Sequence, residues 1–184
     1  VSAAGGGSDI DIFNADGSEA GGASDIGGLR GAIDQLTNNN IVVAFQDADS
    51  VRFRIVNGSG TTVVGDVDTL ESDTSRADVA GLGNGSQNFV LVYQQDFLSG
   101  DSDIRVRIHQ PDGSLATSFS IDTTSAVDTD PVVCALDDGG FAVAWVRTVG
   151  GETELWTAVY NANGTERRGP TLADNLGTIN RNPA

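Results

Sequence analysis

Lysine and methionine are absent from this chain of 184 residues, and cysteine and histidine occur once each. With Cys134 alone, no disulfide can form within the chain and no thiolate metal cluster can be built. Cys134 lies in PVVCAL, between apolar neighbours, so a buried, inert thiol is expected. His109 has no histidine partners for a three-histidine metal centre. The chain contains neither a Gly-x-Ser-x-Gly elbow nor a His-Glu-x-x-His pair that would recruit His109 to catalysis. Long apolar runs are missing too: they reach only five or six residues, as in IVVAF and FAVAWV, far short of a membrane-crossing helix. The first residues, VSAAGGGSD, show neither the basic nor the apolar stretch of an export signal. Positive charge is scarce, with 10 basic residues against 26 acidic ones and a net charge of -16. Such a field repels a phosphate backbone and an anionic bilayer, so nucleic acid and membrane insertion are not expected. It is compatible with divalent cations, and equally with plain solubility.

Glycine is abundant, 24 residues, which suits many tight turns. Laid on itself, the chain repeats at about fifty residues. Ile41–Phe45, Phe89–Tyr93 and Phe141–Trp145 read as one strand occurring three times, each ending in an aromatic. Before them come Leu36, Leu82 and Leu136, each closing a short apolar segment, and then the turn-forming stretches TNNN, GNGSQN and DDGG. After a variable loop follow Val51–Ile55, Asp103–Ile108 and Leu155–Tyr160. The first two alternate cleanly, with Arg52 and Arg54, then Arg105 and Arg107, on one face. The turns VNGSGT, HQPDGS and NANGT lead to a weaker fourth strand. Asp9–Phe13 with NADGS repeats the third strand and its turn near the start, and Asn182-Pro183 echoes Asp130-Pro131 near the end.

These patterns predict an all-β fold of β-propeller-like blades, each of four antiparallel strands, about three complete and one partial. The expected divisions are a partial repeat of the last two strands over 8–28, repeats over 29–77, 78–129 and 130–181, and the start of another at 182–184. A β-sandwich or a β-solenoid is the alternative use of the same strands. Half a blade leaves an open sheet edge, so a protein partner, or another part of a larger chain, is expected to complete the ring, in a homo- or hetero-oligomer.

The third repeat, through Asp130, Pro131, Leu136, Gly139, Gly140, Phe141, Trp145, Asn163 and Gly164, resembles the tandem modules of about fifty residues in very large secreted bacterial proteins of the adhesin or haemolysin type. The second keeps Asp78, Leu82, Phe89, Asp112 and Gly113, with Val79 in place of the proline and Tyr93 in place of the tryptophan; the first keeps Leu36 and Gly60, with Phe45 for the tryptophan. The resemblance implies a secreted or cell-surface location and a structural or adhesive role, often beside calcium-binding repeats. Its motif consists of structural residues and carries no catalytic residue across. The glycine- and aspartate-rich calcium motif of such proteins is absent here.

Candidate binding residues follow from oxygen density and loop variability. Asp9, Asp11 and Asp16 read first as a solvated strand face and an Asx turn, and second as oxygens for one hard cation, which takes six to eight. The loops after the aromatic strands, at 46–50, 94–103 and 147–154, vary most. Variable loops on a regular scaffold are where binding usually resides. Asp47, Asp49, Asp101 and Asp103 are the further calcium candidates, and Asp96, Phe97 and Trp156 the candidate contacts for another ligand. Trp145, Tyr93 and Phe45 are expected in the core between blades. The leading reading is a structural or interaction module, calcium-stabilised and without catalysis. A carbohydrate- or peptide-binding propeller and a non-catalytic part of a polysaccharide-active enzyme are the alternatives.

Overall fold

The computed structural model describes residues 9–23, 28–83 and 85–174. Residues 182–184, expected to open a further repeat, lie outside them, as do the ends of the partial repeat at 8 and 24–27 and of the last repeat at 175–181.

Its local building block is the glycine turn. β1 (Ile10–Phe13) turns through Asn14–Ser18 into β2 (Glu19–Ala23). Gly17 holds φ at 82°, which a side chain strains to adopt, and its N–H donates to the Asn14 carbonyl at 2.9 Å. Asp16 Oδ1 accepts from the Ser18 N–H at 2.9 Å and locks the turn. The same geometry, with φ between 79° and 86° at Gly60, Gly113 and Gly164, joins the third and fourth strands of each later unit. Those units are β3 (Leu29–Gln35), β4 (Ile41–Asp47), β5 (Ser50–Val56) and β6 (Thr62–Asp68); β7 (Thr74–Gly81), β8 (Phe89–Asp96), β9 (Ser102–His109) and β10 (Leu115–Ser120); and β11 (Val127–Ala135), β12 (Phe141–Val149), β13 (Glu152–Tyr160) and β14 (Glu166–Asp174).

The protein is thus all-β, with no helix among the described residues. Each unit is a four-stranded antiparallel blade in sequence order. A single parallel pairing, Val127 with Ser102, joins the second and third blades into one eight-stranded sheet. The first strands β3, β7 and β11 lie side by side. They are tied by carboxylates of one blade accepting from backbone N–H groups of the next: Gly81 N to Asp34 Oδ2 at 2.7 Å, and Val133 N to Asp78 Oδ2 at 2.8 Å. The described residues form this row of blades without closing a ring.

Packing follows the alternation of the strands. Phe89, Leu91 and Tyr93 point from β8 toward the first blade, meeting Val42, Ala44, Phe53 and Ile55. Val90 and Val92 point the other way and join Ile104, Val106 and Ile108 against Phe141, Val143 and Trp145 of the third blade. Phe45 and Val43 close over Ile10 of the hairpin. The recurring aromatics therefore form the core between blades, each turned toward the preceding unit. Cys134, expected to be buried, is exposed. Its counterpart in the second blade, Ala80, is buried against the third blade, whereas Cys134 occupies the face of β11 turned away from the second. Apolar neighbours in sequence do not decide burial when only one side of a blade is covered.

Candidate functional site

The candidate loop residues are distributed over three turns, most of them tied down locally. Asp16 is used by its own turn, accepting also from Ser18 Oγ at 2.6 Å. Asp47 pairs with Arg52 at 2.7 Å, and Asp49, exposed in the β4–β5 turn, accepts through its backbone carbonyl from Thr74 N. Asp96 accepts from Gln94 Nε2 at 2.6 Å, and Phe97 is partly exposed in the turn closing β8 to β9. Asp101 and Asp103 flank Ser102 at the start of β9; Asp101 Oδ1 is buried without a hydrogen-bond partner among the described residues. Burial, then the charges of Asp101, Asp128 and Asp122, push the Asp103 carboxyl up to about 6. Among the described residues no group of three or more His, Cys, Asp or Glu is placed to hold a metal ion.

Trp156 takes the place that Arg52 and Arg105 hold in the other blades and packs against the core cluster of the second and third blades. Its Nε1–H donates to Glu154 Oε2 at 2.8 Å, and the Arg147 guanidinium lies over its ring at 4.4 Å. Arg147 is itself clamped, donating to Asp128 through Nε and Nη2 at 2.7 Å each and to Asp122 at 2.6 Å. Trp156 and Arg147 line a cavity of about 420 Å³ with the Thr124–Ala126 loop. His109 is buried, stacked on Phe89, with Nδ1 3.0 Å from the Gly113 carbonyl. Only a protonated Nδ1 can donate there, which fixes the tautomer and makes His109 a core residue.

Two further features escape a reading of the loops. The first lies where the inner strands meet. In each inner strand the register slips, between Leu29 and Ala32, Ser75 and Asp78, and Thr129 and Val132. The bulged residues Arg30, Arg76 and Asp130 stand in the left-handed region, φ 56°, 53° and 52°. All three line one cleft of about 410 Å³ together with Asp78, Ala77 and Pro131. Arg76 Nη1 donates to Asp130 Oδ1 across it. Burial raises the Asp78 carboxyl above its ordinary value, with Asp34 adding to the rise against the hydrogen bonds from Val133 and Val79. A bulge occupied by arginine or aspartate leaves no trace in composition, because the residue expected at positive φ is glycine.

The second feature is the space beside the hairpin. β1 and β2 occupy the place of the outer two strands of a blade, and Asp9, Asp11, Ile10, Ala32, Ile33 and Val43 line a cavity of about 320 Å³ inward of them. Ile33 is 57% exposed there, whereas its counterpart Val79, covered by the first blade, is 4% exposed.

No protein-family model matches the sequence, nor does any curated protein sequence. Among solved structures, a thermostable family-43 glycoside hydrolase, a β-propeller fold, superposes with a TM-score of 0.53 at 11% identity, over 83% of this chain and 56% of that one. The chain therefore spans about half of that structure's length, and the likeness is one of fold.

Proposed function

We infer that this chain is a structural and interaction module, completed when two further strands, from a partner or from another part of a larger chain, fill the space inward of the β1–β2 hairpin. The exposed Ile33 carries this reading. In the two blades preceded by a full blade, the equivalent Val79 is buried and Val133 is half-buried against the core of the second and third blades. The outer edge of the expected slot is β1, and a strand laid on it would meet Ile10 and Ile33 on its apolar face and Asp9 and Asp11 at its rim. Strand addition to an open sheet supplies main-chain hydrogen bonds for affinity and side-chain pockets for register. A secreted or surface location and an adhesive or assembly role belong to this reading through the resemblance of the repeat. A non-catalytic role belongs to the same reading, since the repeat motif that carries the resemblance consists of structural residues.

Light scattering coupled to size-exclusion chromatography tests it. The expected result is a defined oligomer larger than the 18.9 kDa chain, reduced to monomer by Ile33→Lys with an unchanged circular dichroism spectrum. A monomer at high concentration that Ile33→Lys leaves untouched would remove a second copy of this chain as the source of the strands. The same run in chelator examines calcium stabilisation: an oligomer that dissociates supports it, and one that persists rejects it.

A further inference from the structure

We propose that the cleft between the inner strands binds a carboxylate group, received by the guanidinium of Arg30. The argument begins with backbone cost. A side chain in the left-handed region costs on the order of 1 kcal/mol, and glycine would remove that cost. Glycine holds most positive-φ positions in the turns, with Asn39, Ala48, Leu70, Asp73 and Gln87 as exceptions scattered over turns and links, yet the corresponding bulge of each blade carries Arg30, Arg76 and Asp130. The strain is accepted three times at the same place, and each time the side chain kept there is charged and lines the cleft. Strained residues of this kind gather at binding sites.

Charge pairing then separates the three. Arg76 and Asp130 satisfy one another. Seven arginines, at positions 52, 54, 76, 105, 107, 147 and 167, have a carboxylate within ion-pair distance. Arg30, like the exposed Arg168 of β14, has no such partner among the described residues, although the chain carries a net charge of -16; of the two, Arg30 lines the cleft. Its planar fork is matched by a planar, doubly accepting anion. The carboxylates of Asp78 and Asp130 share the cleft and would repel a phosphate dianion, which leaves a singly charged carboxylate as the fitting group. Ala32, Ala77, Pro131 and Val132 give the rest of the cleft short apolar walls, and its volume of about 410 Å³ suits a sugar ring or a short peptide end.

Calorimetric titration of the purified chain with glucuronate, glucose, triglycine and triglycine amide tests this. The expected result is saturable binding of a probe that bears a carboxylate and none of its counterpart that lacks one; glucuronate against triglycine tells an acidic sugar from a peptide terminus. Arg30→Gly keeps the backbone conformation and relieves its strain. It is expected to weaken binding about tenfold or more while the melting temperature stays level or rises. Probes lacking a carboxylate binding as well as those bearing one, Arg30→Gly binding as well as the parent, or no carboxylate probe binding at tens of millimolar would each overturn the proposal.

Discussion

Asp103 is 6% exposed at the start of β9, among carboxylates rather than cations. With its carboxyl pushed from 3.8 up to about 6, the folded chain holds a proton that the unfolded chain releases between those values. Stability from this group is therefore present in acid and lost as the pH rises through that interval. Glu71 works in the opposite sense. Burial pushes it up, but hydrogen bonds from Arg105 and the Tyr93 hydroxyl and the charges of Arg105 and Arg107 hold it below its ordinary value. Asp122, half-buried but bonded by Arg147, is held down likewise. Their stabilisation is lost as the pH falls below the usual carboxylate range. Melting temperature is expected to peak near pH 5, and Asp103→Asn to raise it near pH 8 but not near pH 4. Thermal melts followed by circular dichroism across this range decide the matter; a variant equally stable at both ends would reject the assignment. None of this could be read in the sequence, where Asp101 and Asp103 look like open cation ligands. Their burial depends on the approach of Asp122 and Asp128 from the following linker and strand.

At the scale of elements, the turns make the sharpest prediction. Gly17 and Gly164 have nearly the same φ, 82° and 83°. An added Cβ meets nothing within 4 Å at Gly17, but at Gly164 it lies 3.0 Å from Phe119 Cε1 and 3.3 Å from Thr117 Cγ2. Gly17→Ala is expected to cost about 1 kcal/mol for the backbone alone, and Gly164→Ala about 2 to 3 kcal/mol because the turn also packs on β10. Urea titrations of both variants measure the difference, and equal losses would show that the contact is soft. The strands and these turns were legible because each is written in local chemistry: an aromatic end, a clean alternation, an Asn or Asp followed by glycine. The inner-strand bulges were not, since Arg30, Arg76 and Asp130 violate the local preference for glycine, and the cleft they line appears only when three blades stand together. Trp156 was conspicuous as a break in the arginine pattern. What it does there, stacking with Arg147 and closing the core, depends on Asp122 and Asp128 positioning that arginine.

Across the whole molecule, stability should be graded by how many neighbours a blade has, because each unit buries apolar surface only against the next. β8 is covered on both sides: Phe89, Leu91 and Tyr93 pack toward the first blade, and Val90 and Val92 toward the third. β1 and β2 have one neighbour and few buried side chains, and β14 ends the row with its last residues exposed. Amide hydrogen exchange is expected to be slowest in β8 and β9 and fastest in β1, β2 and β14. Uniform protection would mean that the blades unfold as one unit and that the graded picture is wrong. The same measurement bears on the slot beside the hairpin. If strands from a partner fill it, protection of β1 should rise with protein concentration while that of β8 stays constant, because only β1 gains hydrogen-bond partners. If protection rises equally in both, association stabilises the chain as a whole without strand addition at that edge.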